Sequence, residues 1–358
     1  MQPNTQISTS ALTRSNQVNF RLNNLRQWVT GALLQINLTN TNPTAADVAQ
    51  VLPSPLLVNY ICFMIAGTEV QWLYGESIYK NMVYNMSEEQ LTQISGGCNI
   101  NPTTGQSGGT IAGGSSVLYH IPLLGSFFEP IHFYMGTVDY LDIEVYLNGN
   151  AIVTLPAAGT IATTSMNLKF YTGWYSDFYT NQHDAELRSI PHDFTFLDYR
   201  RQVQTMALAP SSTYSFVLNS ISGLAPFIWF DMRSTNLSGT GMITYVNGFA
   251  SFQLQDENGN SLSRGQNYDA YEQYSIGTAR AFPNSGITQY ANFINFVPSP
   301  AEVIRSGANF GYELFKNNIF VFTTPSTLTA GTYNITFNCP IYTFIQLKTD
   351  GLISVQAS

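Results

Sequence analysis

Apolar and polar residues alternate with a period of two along much of the chain. Leu141-Asp142-Ile143-Glu144-Val145-Tyr146-Leu147 is the clearest run. Successive side chains of a strand point to opposite faces, so this spacing predicts a strand with one face buried and one wet. Asn148-Gly149 follows at once, then Ala151-Ile152-Val153-Thr154-Leu155. Asn-Gly tolerates the positive φ of a tight turn, so the pair predicts a hairpin joining the two runs. Met166, Leu168, Phe170 and Trp174 line one face of another predicted strand. Ala250–Gln255 alternates and ends at Asn258-Gly259, and Tyr333, Ile335 and Phe337 repeat the pattern later. Leu56–Ala66 is the most apolar run. Asn59 interrupts it, and it is shorter than the roughly 20 residues a spanning helix needs, so it predicts buried core.

Helical signals are few. Ser87-Glu88-Glu89-Gln90 has capping-box spacing, with Gly96-Gly97 placed to stop the turn that follows. Ser299-Pro300-Ala301-Glu302 is a second start, with Gly307 near its stop, and Pro43–Val51 is a third candidate. Many short strands, frequent turn signals and two or three small helices predict an all-β chain of antiparallel sandwiches. A single sandwich rarely needs 358 residues, so two in tandem are expected. The turn-rich stretch Tyr179–Asp193 is the predicted boundary. The expected division is an N-terminal arm at 1–16, a first sandwich at 17–185, a second at 186–348 and a tail at 349–358.

Composition narrows the function. Hydrophobic residues make up 44% and charged residues only 10%, which excludes a largely disordered chain. The net charge of −8 argues against nucleic-acid binding over the whole surface, since phosphate contacts need clustered positive charge. No direct sequence-specific nucleic-acid binding is expected. Cys62, Cys98 and Cys339 are widely spaced and form no CxxC, which predicts buried free thiols and no disulfide framework. The segment before Asp47 holds Arg14, Arg21 and Arg26 and no acid; the stretch from Cys98 to Ser116 is rich in Gly, Ser and Thr and predicts a long surface loop.

The chemistry-bearing patterns are weak. Gly105-Gln106-Ser107-Gly108-Gly109 matches G-x-S-x-G, but within a low-complexity loop and not between a strand and a helix. His120, His132, His183 and His192 share no metal-ligand spacing, and no metal or cofactor is expected. Asp256-Glu257-Asn258-Gly259-Asn260 resembles a calcium loop, yet the positions that need Gly and Glu hold Ser261 and Asn267, so a hairpin turn is expected. Asp142 and Glu144 share one strand face, as the carboxylates of some sandwich glycosidases do; the position two residues earlier, where those enzymes carry a third carboxylate, is Tyr140. The chain is therefore expected not to be an enzyme. Arg14, Arg21 and Arg26 with Trp28 form a candidate membrane-facing arm, because basic residues beside an aromatic suit an anionic lipid interface.

The order of segments resembles one family. Leu25–Leu34 looks like its first long strand, and Pro55–Ile65 followed by Gly67–Trp72 like the next pair. Ser116–Leu123 is similar to its strand leading into a Val/Ile-Pro-Leu turn. Asn318–Phe322 followed by Ser326–Asn334 resembles a strand, small-residue turn and returning strand. These segments resemble the double jelly-roll major capsid proteins of membrane-containing icosahedral viruses: tectivirus- and corticovirus-like bacteriophages, with adenovirus hexon more distant. The resemblance implies two tandem eight-stranded antiparallel jelly-roll sandwiches. It implies a homotrimer forming a pseudo-hexagonal capsomer that tiles a shell over an internal membrane. Neighbouring capsomers, penton and minor capsid proteins and the internal lipid membrane would be partners, and the virion capsid, assembled in the host cytoplasm, the location. A glycan-binding fibre or lectin-like sandwich and a sandwich glycosidase are the alternatives.

Overall fold

A strand with one apolar face is stable only when a second apolar face covers it, and the period-two runs of this chain build their sheets on that requirement. The computed structural model describes residues 2–6, 17–23, 28–86, 88–103, 105–106, 108–127, 133–154, 160–173, 184–186, 189, 192–236, 239–262, 292–296, 311–314, 316–347 and 353–357. The chain divides into two compact units. The first comprises Met1–Pro102, Gln106–Asp198 and Thr343–Gln356; the second comprises Thr103–Gly105, Tyr199–Tyr342 and Ala357–Ser358.

The first unit contains β1 (Gln2–Gln6), β2 (Gln17–Asn23), β3 (Trp28–Asn40), β4 (Ala49–Val51), β5 (Val58–Ile65), β6 (Thr68–Tyr74), β7 (Thr110–Ile111), β8 (Ser116–Pro122), β9 (Phe133–Tyr134), β10 (Tyr140–Leu147), β11 (Ile152–Thr154) and β12 (Ile161–Gly173). One sheet has the order β1-β12-β3-β8, with β9 also beside β3; a second has the order β2-β10-β5-β6; a small third has β11-β4-β7. From β2 onward the chain passes back and forth between the two large sheets. Neighbours in a sheet are therefore distant in sequence: Leu34 pairs with Leu168, and Phe20 with Ile143. Each large sheet buries one face. Leu34, Ile36, Leu38, Met166 and Leu168 are sealed on one, and Ile61, Phe63, Leu141, Ile143 and Val145 on the other.

Two helices follow β6: α1 (Gly75–Asn85) and α2 (Glu88–Cys98). The first buries Ile78, Tyr79, Met82 and Val83 at helical spacing, with Lys80 bonded to Glu76 one turn earlier at 3.2 Å. It starts at Gly75 because a Cβ there would lie 2.1 Å from the Val58 carbonyl oxygen and 2.2 Å from that of Pro55. Below the end of α2, His120 of β8 accepts a hydrogen bond at Nε2 from the Gln35 amide, 2.9 Å away. A Cβ on Gly97 would come within 2.8 Å of its Nδ1.

The second unit is built from most of β13 (His192–Leu208), β14 (Thr213–Leu218), β15 (Gly223–Ala225), β16 (Phe227–Ser234), β17 (Ser251–Gln255), β18 (Asn292–Asn295), β19 (Tyr312–Leu314), β20 (Asn318–Thr323) and most of β21 (Gly331–Leu347); β22 (Ile353–Ala357), which pairs with β21, falls in the first unit up to Gln356. The orders are β13-β21-β16-β18, β14-β20-β17 and β15-β19. Its core is an aromatic cluster. Phe320, fully buried, lies at centroid distances of 4.9–6.2 Å from the rings of Phe216, Phe230, Phe249, Phe252, Phe322 and Phe337. β16 is buried on both faces. Its other face carries Asp231 and Arg233, two residues apart and ion-paired at 2.6 Å. Arg233 also donates from Nη1 to the Met242 carbonyl at 2.7 Å and lies 5.5 Å from the Tyr245 ring centroid, which pins the loop after β16 to the sheet.

Several expectations need correction. Asn148-Gly149 joins no hairpin: β10 pairs with β2 and β5, while β11 pairs with β4. Asn148 instead caps a short 3-10 turn and donates its amide to the Leu56 carbonyl, so packing overrides the local turn signal. Pro43–Val51 is not a helix: Ala49–Val51 is strand β4, recruited by β7 and β11. A helix does form at the predicted start, over Glu88–Cys98, but it continues through Gly96-Gly97, and Ser87 lies outside the described residues. Helix α1 has Tyr74 at its N-cap with no side-chain cap, so it carries no local capping signal. Residues 2–6, expected outside the first sandwich, form β1 and pair with β12 from Gln2↔Phe170 to Gln6↔Met166. Edge pairing needs only backbone donors and acceptors, so the missing apolar period does not prevent it. The expected C-terminal tail likewise contains β22. The division of units falls between Asp198 and Tyr199, inside β13, while most of 179–193, Trp174 and the predicted helix start at Ser299 lie outside the described residues.

Two outcomes follow from this packing. Phe320→Ala removes the centre of the aromatic cluster and costs about 3–5 kcal/mol, read as a lower urea midpoint. Burial and the charge of Lys169 hold the His120 imidazole below its ordinary value of 6.5. The unfolded chain therefore takes up a proton before the folded one does. This contribution to stability is whole above pH 6.5 and is lost as pH falls below it. Thermal melts of wild type should fall on acidification through that window, and His120→Gln should flatten that part of the profile.

Candidate assembly interface

The outer faces of the sheets hold the groups available to partners. In the first unit, the outer face of the β2-β10-β5-β6 sheet is aromatic at one end. Tyr60 stacks on Tyr146 at 4.3 Å and on Trp72 at 4.8 Å, with Tyr74 edge-on at 6.3 Å. Registers Tyr146↔Tyr60 and Tyr60↔Tyr74 place these rings side by side across three strands. Two carboxylates edge the ladder: Trp72 donates its indole N–H to Glu69 at 3.3 Å, and the Tyr146 hydroxyl donates to Glu144 at 3.0 Å. That bond and the neighbouring charge, after burial, push the Tyr146 phenol up to about 12.

Of the candidate arm residues, Arg21 falls on this sheet and Trp28 on the other large sheet. Arg21 on β2 makes a forked bond to Asp142, Nε to Oδ1 at 2.6 Å and Nη2 to Oδ2 at 2.7 Å, and lies 4.3 Å from the Tyr140 ring centroid. Its own pKa is raised, chiefly by the Asp142 hydrogen bond. Trp28 begins β3 and tilts against Tyr134 at 5.1 Å. Arg14 and Arg26 lie outside the described residues. The fork was legible only as a register, since Arg21 and Asp142 are far apart in sequence.

Asp142 and Glu144 do share one face, as the period of two requires, but each has its own partner, Arg21 and Tyr146. Among the described residues no group of three or more His, Cys, Asp or Glu side chains could hold a metal ion. Asp256 is a turn residue. It accepts from the backbone N–H groups of Asn258 and Asn260 and from the Asn260 amide, which together lower its pKa. Cys62, Cys98 and Cys339 are buried and free, with burial raising each thiol. Ser107, His132 and His183 lie outside the described residues.

Sequence reasoning missed a surface on the second unit. The outer face of β14-β20-β17 consists of three cross-strand rows: Thr213-Thr323-Ser251, Ser215-Val321-Gln253 and Val217-Ile319-Gln255. None of the nine residues is charged, and Val217 is 44% exposed. The opposite face of the same strands carries Phe216, Phe320, Phe322, Phe252 and Leu254 of the core. An exposed sheet face without charge is unusual, because water-facing strands normally carry charged residues that discourage association. The signal was present as alternation in Asn318–Thr323 and Ser251–Gln255, but only the register brings the rows together.

No family model and no curated protein matches the chain. Solved structures do. PBCV-1 VP54, fitted into a reconstruction of the virophage Sputnik, superposes with a TM-score of 0.73 at 11% identity, covering 100% of this chain and 96% of that one. The Faustovirus major capsid protein superposes with a TM-score of 0.66 at 10% identity, covering 96% and 89%. The mavirus major capsid protein superposes with a TM-score of 0.57 at 10% identity, covering 99% and 90%. With antiparallel sheets in both units and few helices, the chain has the double jelly-roll fold of these viral major capsid proteins.

Proposed function

We propose that the chain is a structural protein, the major capsid protein of an icosahedral virus, and that it acts by assembling with copies of itself. One observation carries the reading: superposition on major capsid proteins over essentially the full length of both chains. The surface chemistry supports it. A shell places many copies side by side, and a chain with only 10% charged residues meets its neighbours with little repulsion. Two sandwiches per chain and three chains per capsomer give a pseudo-hexagonal outline, and a closed trimer needs only one repeated heterologous contact. The uncharged face of β14-β20-β17 is a fitting contact between copies, since apolar and neutral polar groups lose little on leaving water together.

Sedimentation of the purified chain should show a trimer of three 39.6 kDa chains, and electron microscopy should show compact particles of hexagonal outline. Ser215→Lys with Gln255→Lys puts like charges on two strands of the face that are not neighbours, without touching the core. The double variant should keep its melting temperature and lose trimers or their lateral tiling. A wild-type chain that stays monomeric at micromolar concentration would overturn the reading.

An internal membrane as a partner belongs to the same proposal. Arg14, Arg21, Arg26 and Trp28 would meet anionic lipid head groups, each basic residue contributing on the order of 1 kcal/mol near such a surface. Arg21 is already held by Asp142, so it adds less than a solvated arginine. Many weak contacts on one shell act together. Assembled protein should float with anionic liposomes at low salt and separate from them at high salt. Unchanged flotation after Arg14→Ala and Arg26→Ala would remove the membrane from the proposal.

A further inference from the structure

The assembly surfaces leave one feature of the first unit unused. Where α2 ends, Ser95–Pro102 and Gly108–Thr110 line, with Val117 and Tyr119 of β8, an open cleft of about 320 Å³. That is the lower end of the range for small-molecule sites. Ser95, Gly96, Asn99, Asn101, Gly108 and Tyr119 are among its lining residues, with Ile100, Pro102 and Val117 supplying apolar wall. No lining residue carries a charge.

The walls are held from behind. Asn99 takes a left-handed backbone with φ 50° and donates its side-chain amide to the carbonyls of Val51 and Leu52 at 3.0 and 3.2 Å. Its own carbonyl accepts from the Gly108 N–H at 2.9 Å, and the Asn101 N–H donates to the Gln106 carbonyl at 2.8 Å. The loop is thus closed by its own backbone bonds. Glycines keep the space open: a Cβ on Gly108 would press on the Asn99 and Ile100 backbone at 3.3 Å, whereas one on Gly96 would meet nothing within 4 Å.

Tyr119 points to a ligand. Its side chain is buried, at 2% exposure, and lines the cavity. Its hydroxyl makes no hydrogen bond to any described residue and is not sealed from the cleft, so it is open to whatever occupies the space. Burial pushes this phenol up to about 12, so it remains a donor at neutral pH.

We propose that this cavity is a binding site for a neutral saccharide, with the Tyr119 hydroxyl bonding a ring or hydroxyl oxygen of the sugar. Hydroxyls, amides and glycine-exposed backbone match a ligand that both donates and accepts. The apolar wall matches the C–H face of a pyranose. An uncharged lining offers no counter-charge to a phosphate, a carboxylate or an amine. The site lies within one chain and does not depend on assembly, so it stands or falls apart from the capsid reading.

The test is titration of the full-length chain with methyl glycosides of glucose, galactose, mannose and N-acetylglucosamine, followed by saturation-transfer NMR and calorimetry. At least one should bind with roughly millimolar affinity. Tyr119→Phe removes one neutral hydrogen bond and should weaken binding about three- to tenfold. Gly96→Leu fills open space at the end of a helix without a backbone clash and should abolish binding. Both variants should melt with wild type. Failure of all four glycosides to bind would overturn the proposal. So would binding that both variants leave unchanged, or tighter binding of glucuronate or glucose phosphate than of the parent sugars.

Discussion

The long-range antiparallel ladder is the constraint on which everything else here depends. In the first unit β3 and β12, each thirteen residues long, pair from Asn40↔Ile161 to Trp28↔Gly173, and β10 lies between β2 and β5. Asn40 and Ile161 of the first ladder are far apart in the chain, as are Ile143 and Phe63 of the second, so none of these ladders can form locally. Chain entropy must be lost before those contacts form, which makes such topologies slow to fold but cooperative once closed. The helices and short sheets occupy what the ladders leave: α1 fits against β5 only because Gly75 lets its first turn approach the Val58 and Pro55 carbonyls.

The two units solve the same problem differently. The first mixes aliphatic rows with buried rings such as Phe20, Phe63, Phe127 and Phe170, while the second gathers phenylalanine rings around Phe320. The second also buries charge, but as a pair. Asp231 and Arg233 neutralise each other, and the guanidinium binds the Met242 carbonyl. A buried pair of this kind is weak evidence of stability, since desolvation offsets most of its attraction. Its structural effect is to fix the loop after β16. On the outside the contrast reverses: the first unit shows an aromatic ladder with carboxylates and the Arg21–Asp142 fork, the second a charge-free face. Surfaces of such different chemistry on one chain suit contacts with different neighbours.

Much of this was legible in the residues. The alternation at 141–147, 251–255 and 318–323 identified strands with a buried side, because a strand's period of two reports its own environment. Capping-box spacing located α2, because a start signal of that kind is contained within one turn of chain. The order of segments suggested the tandem sandwich, and the structure has that fold.

What the residues alone did not determine is anything set by a partner distant in sequence. Asn148-Gly149 has the chemistry of a hairpin, yet β10 and β11 enter different sheets because their apolar faces are completed by β5 and β4. Gln2–Gln6 carries no apolar period, yet the exposed backbone of β12 recruits it. The Arg21–Asp142 fork, the nine-residue uncharged face and the cavity around Tyr119 each join segments brought together only by register or by loop closure. Local sequence determines which residues seek burial and where the chain turns. Which strand lies beside which is decided by the free energy of the whole core, and that exists only in the folded chain.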